Sequence, residues 1–404
     1  MNPVRKSASH QARPYRDLVA VHGSPLLVLD AFTVGAQYRD LQRALPGVVF
    51  HYAVKSLPFP GILRCLADMG SHFDLASSGE VRMMQELRIA ARRTIHTHPI
   101  KRDDDIRTAL RYGCTTFVVD NTDELLKFRP YRRRVGLLLR LRFSSPAAAV
   151  DLSRKFGCRV AEAGELLSLA AGLGIHVKGL CFHVGSQCRD ALRQVEAIDA
   201  CHTLIRQHHT TGAAPISTLD IGGGFPIAYG GGDIDINAYC APIRDALARL
   251  PAHVKVIAEP GRFISGPAMT SITTVIGKAR RESLNWYYLD DGVYGAFSGQ
   301  IYDRTRYPLE VFSDAAGKWP SVLAGPTCDS IDIIAETVDL PEMQIGDLVV
   351  GHMMGAYTAA SASDFNLLKK AKIVLLGSEA FPPPPSRPHA SSIDPQTRPT
   401  AGQP

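Results

Sequence analysis

Short apolar or β-branched runs recur with an even rhythm over the first two-thirds of the chain. They fall at residues 48–54 (VVFHYAV), 72–74 (HFD), 94–97 (TIHT) and 116–119 (TFVV), then at 135–141 (VGLLLRL), 177–183 (VKGLCFH), 217–221 (STLDI) and 254–258 (VKVIA). Each is too short for a helix and suits a buried strand. Most of the gaps carry apolar residues at helical spacing, as in GEVRMMQELRIA from Gly79 and AEAGELLSLAAGLG after Val160. Eight such strand-then-helix units predict a (β/α)8 barrel, because parallel strands need crossovers and helices supply them.

After Pro260 the rhythm changes. SITTVIGKAR, NWYYLDD, PSVLAGPTC and GDLVVGH are separated by Gly, Pro and Asp, which predicts a second, mostly antiparallel β domain. The expected organisation is a partly disordered N-terminal segment (1–25), the barrel (26–263), the β domain (264–380) and a Pro-rich tail (381–404). The tail offers too little apolar surface to offset its ordering entropy and is expected to be disordered. The strand-like LLVLD at 26–30 suits either part.

Composition removes several classes of function. The chain has 404 residues, 45% hydrophobic and 21% charged, the balance of a globular protein of enzyme size. No apolar run approaches the ~20 residues that span a bilayer. The net charge of +6 is spread thinly, and its densest run, Arg132-Arg133-Arg134, has no interleaved aromatics, so neither nucleic acid nor a membrane is an expected partner. The eight cysteines form no Cys-x-x-Cys pair, so neither a metal site nor a disulfide framework is expected. The start, MNPVRKSASHQARPYRDLVA, lacks the apolar core of a signal peptide, which points to a cytoplasmic setting.

In a (β/α)8 barrel the chemistry sits where strands end. That register yields Lys55, Asp74, His96, Asp120, Arg140 or Arg142, His183, Gly222–Gly224 and Glu259. Lys55 follows the apolar HYAV, where desolvation would lower its pKa and leave a neutral amine able to form a Schiff base. DIGGGFP (220–226) lets backbone N–H groups approach a phosphate, although such a run also makes a plain turn. It is not the Gly-x-Gly-x-x-Gly dinucleotide fingerprint. His183 could stack on a flat ring. Glu259 could hold a pyridinium proton, or form a salt bridge with Arg262 three residues on.

These residues carry a resemblance. The sequence resembles the fold-type III pyridoxal-phosphate (PLP) decarboxylases, the ornithine/lysine/diaminopimelate group related to alanine racemase, and within it the ornithine enzymes. The matching runs are YAVK (52–55), FDLASSGE (73–80), LSRKFG (152–157), FHVGSQ (182–187), DIGGGFP and AEPGRF (258–263). DDGVYGAF (290–297), GPTCDS (325–330), MGAYT (354–358) and FN (365–366) follow in the family's order.

The resemblance implies PLP as cofactor and assigns roles. Lys55 matches the lysine that carries PLP, His183 the histidine stacked on its ring, and Glu259 the acid paired with the pyridine nitrogen. Ser186, Gly222, Gly223, Gly224, Arg262 and Tyr357 fall where the family binds the phosphate; Asp74 and Glu80 match acidic positions behind the cofactor, and Arg140 is a further match. Cys328-Asp329 matches a pair that reaches across a homodimer into the neighbour's site, with Cys328 the proton donor. Asp303, with Asp329, would receive the substrate's distal ammonium. A Cys-Asp pair, where diaminopimelate enzymes are expected to have Cys-Glu-Ser, implies a diamine product: ornithine first, lysine or both as the alternative.

Two features depart from the pattern. Ser56-Leu57-Pro58 follows the lysine where a small residue and Asn are usual, and Arg304 and Arg306 bracket the loop after Asp303. If those arginines do not face solvent, a modified amino acid becomes the expected substrate. An alanine-type racemase would carry a tyrosine near Cys328, and a non-catalytic PLP-binding regulator would tolerate loss of Lys55 or Cys328; this chain keeps both.

Overall fold

The computed structural model describes residues 3–144, 148–149, 152–210, 214–230 and 232–377. The tail expected over 381–404 lies outside the described residues. Residues 3–25, expected to be partly disordered, form strand β1 (Val4–Ser7) and helix α1 (Arg13–His22). β1 is held by Val4↔Leu309 to Ser7↔Phe312, pairings some 300 residues distant that no local pattern announces. LLVLD forms β2 (Leu26–Asp30), which falls within the range 26–263 expected for the barrel but joins the second domain's sheet. Asp30 then caps helix α2 (Ala31–Ala44), its carboxylate accepting from the backbone of Phe32 and Thr33.

The eight expected strands are all present: β3 (Val49–Ala53), β4 (His72–Leu75), β5 (Thr94–His96), β6 (Thr116–Val119), β7 (Gly136–Leu141), β8 (Val177–Phe182), β9 (Thr218–Asp220) and β10 (Lys255–Ala258). Every neighbouring pair is parallel, and β10 pairs with β3 to close the barrel. Helices α3 (Pro60–Asp68), α4 (Ser78–Glu86), α5 (Asp103–Tyr112), α6 (Thr122–Lys127), α7 (Ala163–Gly172), α8 (Leu192–His209) and α9 (Ile236–Leu247) occupy the crossovers.

The period-2 alternation of strands sorts the side chains. Leu137, Leu139 and Leu141 of β7 join the large core shared with the surrounding helices, whereas Leu138 joins a separate apolar cluster with Ile95, Val118, Cys181 and Ile257 inside the barrel. That plug closes the barrel below the level where the strands end.

The β domain follows the short helix α10 (Arg262–Ser265), which ends the barrel. Its strands are β11 (Met269–Arg281), β12 (Leu284–Leu289), β13 (Leu309–Phe312), β14 (Trp319–Ala324), β15 (Ile333–Leu340), β16 (Leu348–Gly351) and β17 (Lys372–Leu376), with the one-turn helix α11 (Gly299–Tyr302) between β12 and β13. With β1 and β2 they make a nine-stranded sheet in which five of eight pairings are antiparallel. β2 lies between β11 and β17. No helix among the described residues is long and apolar enough to cross a membrane.

Candidate active site

One strand period above the apolar plug stands a polar layer. Ile95, Val118, Leu138, Cys181 and Ile257 point into the barrel, so two residues on, Thr97, Asp120, Arg140, His183 and Glu259 face the same way at its mouth. The same alternation turns His96 outward. Its ring packs 5.7 Å from Phe117 in the core, neither nitrogen has a partner among the described residues, and burial lowers its pKa to about 3. The histidine read as a strand-end candidate is thus a neutral core residue, and Thr97 and His98 line the cavity in its place. Arg140 also lines the cavity, while Arg142 is exposed.

That cavity, of about 290 Å³, lies between the barrel mouth and loops of the β domain. At one side Lys55 emerges from β3, and its Nζ donates to Asp74 Oδ2 at 2.6 Å. Asp74 Oδ1 accepts from the Thr97 hydroxyl, so the carboxylate is fixed from both sides. Burial disfavours the ammonium, but the Asp74 carboxylate outweighs it and raises the Lys55 pKa. Lys55 is therefore a salt-bridged ammonium, not the neutral amine expected from HYAV alone; the approach of Asp74 is a tertiary fact. The Ser56 departure has a structural use: its hydroxyl donates to Ala53 O at 2.9 Å and its carbonyl accepts from Tyr357 N–H at 2.9 Å. This pins the lysine turn to the second domain.

His183 Nδ1 accepts from the Gly185 N–H at 2.9 Å, which leaves the proton on Nε2. Burial, with Arg140 and Lys55 nearby, lowers its pKa to about 3. The ring is neutral. Glu259 is half-buried just past β10, beside Asp220 at the end of β9; desolvation raises both pKa values, and the Asp220 carboxyl adds to the rise at Glu259. Glu259 therefore holds a proton and does not pair with Arg262, the simpler alternative for AEPGRF. Asp220 stood in DIGGGFP but escaped notice behind the glycines; it also accepts from Gly222 N–H at 2.9 Å.

The glycines are demanded by close packing. At Gly222 (φ +66°) and Gly224 (φ +90°) a Cβ would stand 2.3 Å from the carbonyl oxygens of Phe182 and Gly185. At Gly223 it would meet Glu259 O at 2.6 Å. Gly224 is the one of the three that lines the cavity.

The other end of the cavity belongs to Arg262. Its side chain is only 5% exposed; Nη1 donates to the Tyr229 hydroxyl at 2.9 Å and Nη2 to the Ser186 hydroxyl at 3.3 Å and to Asp303. The Tyr357 ring lies 4.9 Å from the guanidinium carbon. Asp303, assigned by resemblance to a substrate ammonium, is held by Arg262 in this structure. Arg304 and Arg306 are exposed, so the loop adds no buried positive charge.

Other candidates stand apart from the cavity. Glu80 is the third residue of α4 and its carboxylate accepts from the Ala76 N–H, while Ser77 caps the same turn; burial raises its pKa to about 7. Asp120 accepts from Gly157 N–H at 2.8 Å and so anchors the loop that brings Leu152 and Phe156 over the cavity. Cys328 is exposed, and neither it nor Asp329 lines the cavity of its own chain. Asp329 instead accepts from the Tyr294 hydroxyl, beside Phe365, which stacks on Tyr294 at 4.4 Å. No metal-ligating cluster occurs among the described residues.

The donor set fits PLP. A neutral imidazole and a protonated carboxyl flank the centre, an amine stands at one side, and a buried arginine with a serine hydroxyl closes the other. Arg262 Nε is buried and has no partner among the described residues, a donor left over for an anion.

Comparison with known proteins agrees. Residues 32–266 match the family model of the pyridoxal-dependent decarboxylase, pyridoxal binding domain. The chain is 38% identical to the lysine/ornithine decarboxylase of Selenomonas ruminantium over 85% of this chain and 87% of that one. It is 33% identical to a chloroplastic ornithine decarboxylase of Nicotiana glauca, over 89% and 85%. The crystal structure of lysine/ornithine decarboxylase of Vibrio vulnificus complexed with cadaverine superposes with a TM-score of 0.88 at 49% identity, covering 92% of this chain and 99% of that one. The chain belongs to the fold-type III PLP-dependent decarboxylases, carboxy-lyases that use pyridoxal phosphate.

Proposed function

We propose that this protein removes CO2 from a basic amino acid, L-ornithine first and L-lysine as the second substrate, releasing putrescine or cadaverine. The observation that carries this reading is a single cavity with Lys55 on Asp74 at one side and Asp303 on Arg262 at the other. PLP supplies an electron sink for the carbanion left when CO2 departs.

The chain's own residues supply position and charge. Lys55 would tether the cofactor, His183 would lie against its ring, and Glu259 would keep a proton at the ring nitrogen, backed by Asp220. Ser186, Gly222–Gly224, Arg262 and Tyr357 would hold the phosphate. Asp74 sets the charge of Lys55, and Glu80 fixes the turn behind it. Asp303 and Asp329 would take the distal ammonium by charge-assisted hydrogen bonds. Cys328 would return a proton to the α-carbon.

Because Cys328 and Asp329 are displayed away from their own cavity, the reading requires a homodimer in which each protomer completes its partner's site. Seven of the eight cysteines are buried and all eight are free thiols, which supports a reducing, cytoplasmic setting. A racemase reading is disfavoured by cysteine at position 328, and a binding-only regulator by the retention of Lys55 and Cys328.

The test is a competition among ornithine, lysine and diaminopimelate with the PLP-loaded protein, products identified by mass spectrometry. Putrescine or cadaverine as the dominant product is expected. No diamine from any of them, with cofactor bound, would overturn the reading and favour a modified substrate.

A further inference from the structure

The Arg262–Asp303 pair joins two groups that the proposed function sends to different ligands. Arg262 would hold a phosphate, and Asp303 a substrate ammonium. In the structure they hold each other, with 5% and 17% of their side chains exposed. A guanidinium so deeply enclosed requires a counter-anion. Among the described residues, Asp303 is the one carboxylate within ion-pair distance of it.

The sharing is specific to one nitrogen. Nη2 serves both the Ser186 hydroxyl and Asp303, while Nη1 is taken by Tyr229 and Nε has no partner among the described residues. An anion that takes the open Nε and the Ser186 hydroxyl would still lie beside Nη2, the donor that Ser186 and Asp303 share. Two anions on one buried nitrogen repel each other, and a phosphate brings more charge than a carboxylate. Asp303 is also placed to leave. Its side chain has no other partner among the described residues, and it follows the single turn of α11, attached through its N–H to Gly299 O at 3.0 Å. The next residue, Arg304, is left-handed (φ +53°), so the backbone turns sharply there. Released from Arg262, the carboxylate would still line the cavity.

We propose that Asp303 occupies the phosphate's place on Arg262 until the cofactor binds, so that phosphate binding is the event that frees Asp303 for the substrate's ammonium. The inference rests on the reading of these two residues given above. It makes the ammonium site conditional: a phosphate and a diamine help each other to bind although they never touch.

Full-length protein stripped of cofactor tests this directly. Putrescine affinity is measured by calorimetry without and with saturating inorganic phosphate. Phosphate is expected to tighten putrescine about tenfold, and putrescine to tighten phosphate by the same factor. Putrescine binding that ignores phosphate would overturn the proposal, and that measurement needs no variant. Asp303→Asn, which keeps the shape and removes the charge, is expected to bind both inorganic phosphate and PLP about tenfold more tightly. Equal or weaker binding by a variant with an unchanged melting curve would overturn it. Arg262→Met separates the two levels. Undiminished phosphate affinity there would sink the assignment of Arg262 itself, whereas weakened affinity there with no gain in Asp303→Asn sinks the competition alone.

Discussion

Asp220 and Glu259, at the ends of the adjacent strands β9 and β10, form a coupled pair of carboxyl groups whose desolvation raises the pKa of each, so that the pair retains a proton. Two carboxylates so close and so enclosed cannot both ionise. A proton is thereby kept at the depth where Glu259 would meet a ring nitrogen.

Glu259→Gln should move stability and activity in opposite directions. Both pKa values are raised above those of the unfolded chain, so the pair stabilises the fold most at low pH and loses that contribution as pH rises through the folded values. Removing one carboxyl should therefore raise the cofactor-free stability at pH 8 by about 1 kcal/mol or more, seen as a higher melting temperature, and change little at pH 4. Turnover of the loaded enzyme should fall about 10²-fold or more. Thermal melts at the two pH values and steady-state kinetics check both halves.

Loss of His96 should make the protein more acid-resistant. Its folded pKa of about 3 lies below the unfolded value, so its contribution is complete above about pH 6.5 and is lost as pH falls towards the folded value. His96→Leu should gain about 2 kcal/mol at pH 5 relative to its effect at pH 8, with activity unchanged. Urea unfolding at the two pH values measures the difference; an equal effect at both would contradict a buried neutral imidazole.

Gly224→Ala should damage the barrel mouth. A methyl group there would press on the Gly185 carbonyl at a backbone angle that alanine disfavours, at a cost of about 2 kcal/mol or more. A lower melting temperature and weaker PLP binding, seen by fluorescence titration, are the expected results.

Lys55→Ala should abolish product formation, and Cys328→Ala should lower it about 10²–10⁴-fold. If sites are shared between protomers, mixing the two inactive variants under subunit exchange should restore a fraction of the activity. Absence of rescue, with exchange verified by mass, would contradict shared sites.

The barrel was legible because its signals are local. VGLLLRL shows both the alternation and the position of Arg140 within it, and the same two-residue step leads from Ile257 to Glu259. Three features escaped because they depend on residues far away in the chain. β1 finds its partner at Leu309–Phe312, the protonation of Lys55 is decided by Asp74, and Asp303 meets Arg262 from the other domain. LLVLD could not be assigned, since a short apolar run fits a barrel wall and an open sheet equally well. His96 misled for a related reason: three residues of strand cannot declare which way they face, and one residue of slip exchanges inside for outside.

The placement of β2 between β11 and β17 has a consequence for biosynthesis. The barrel's eighth strand emerges from the ribosome more than a hundred residues before β17 does, and domains fold in order as they appear. A nascent barrel thus waits with its mouth open, lacking the loops that bring Asp303 and Tyr357 over the cavity. Strand β2, made before the barrel, finds its first partner only with β11 and its second only when Lys372–Leu376 arrives beside it. Translation itself orders the steps, scaffold first and cofactor chamber last, so a chain halted after β10 would carry all eight barrel strands but neither Asp303 nor Tyr357 to enclose the chamber.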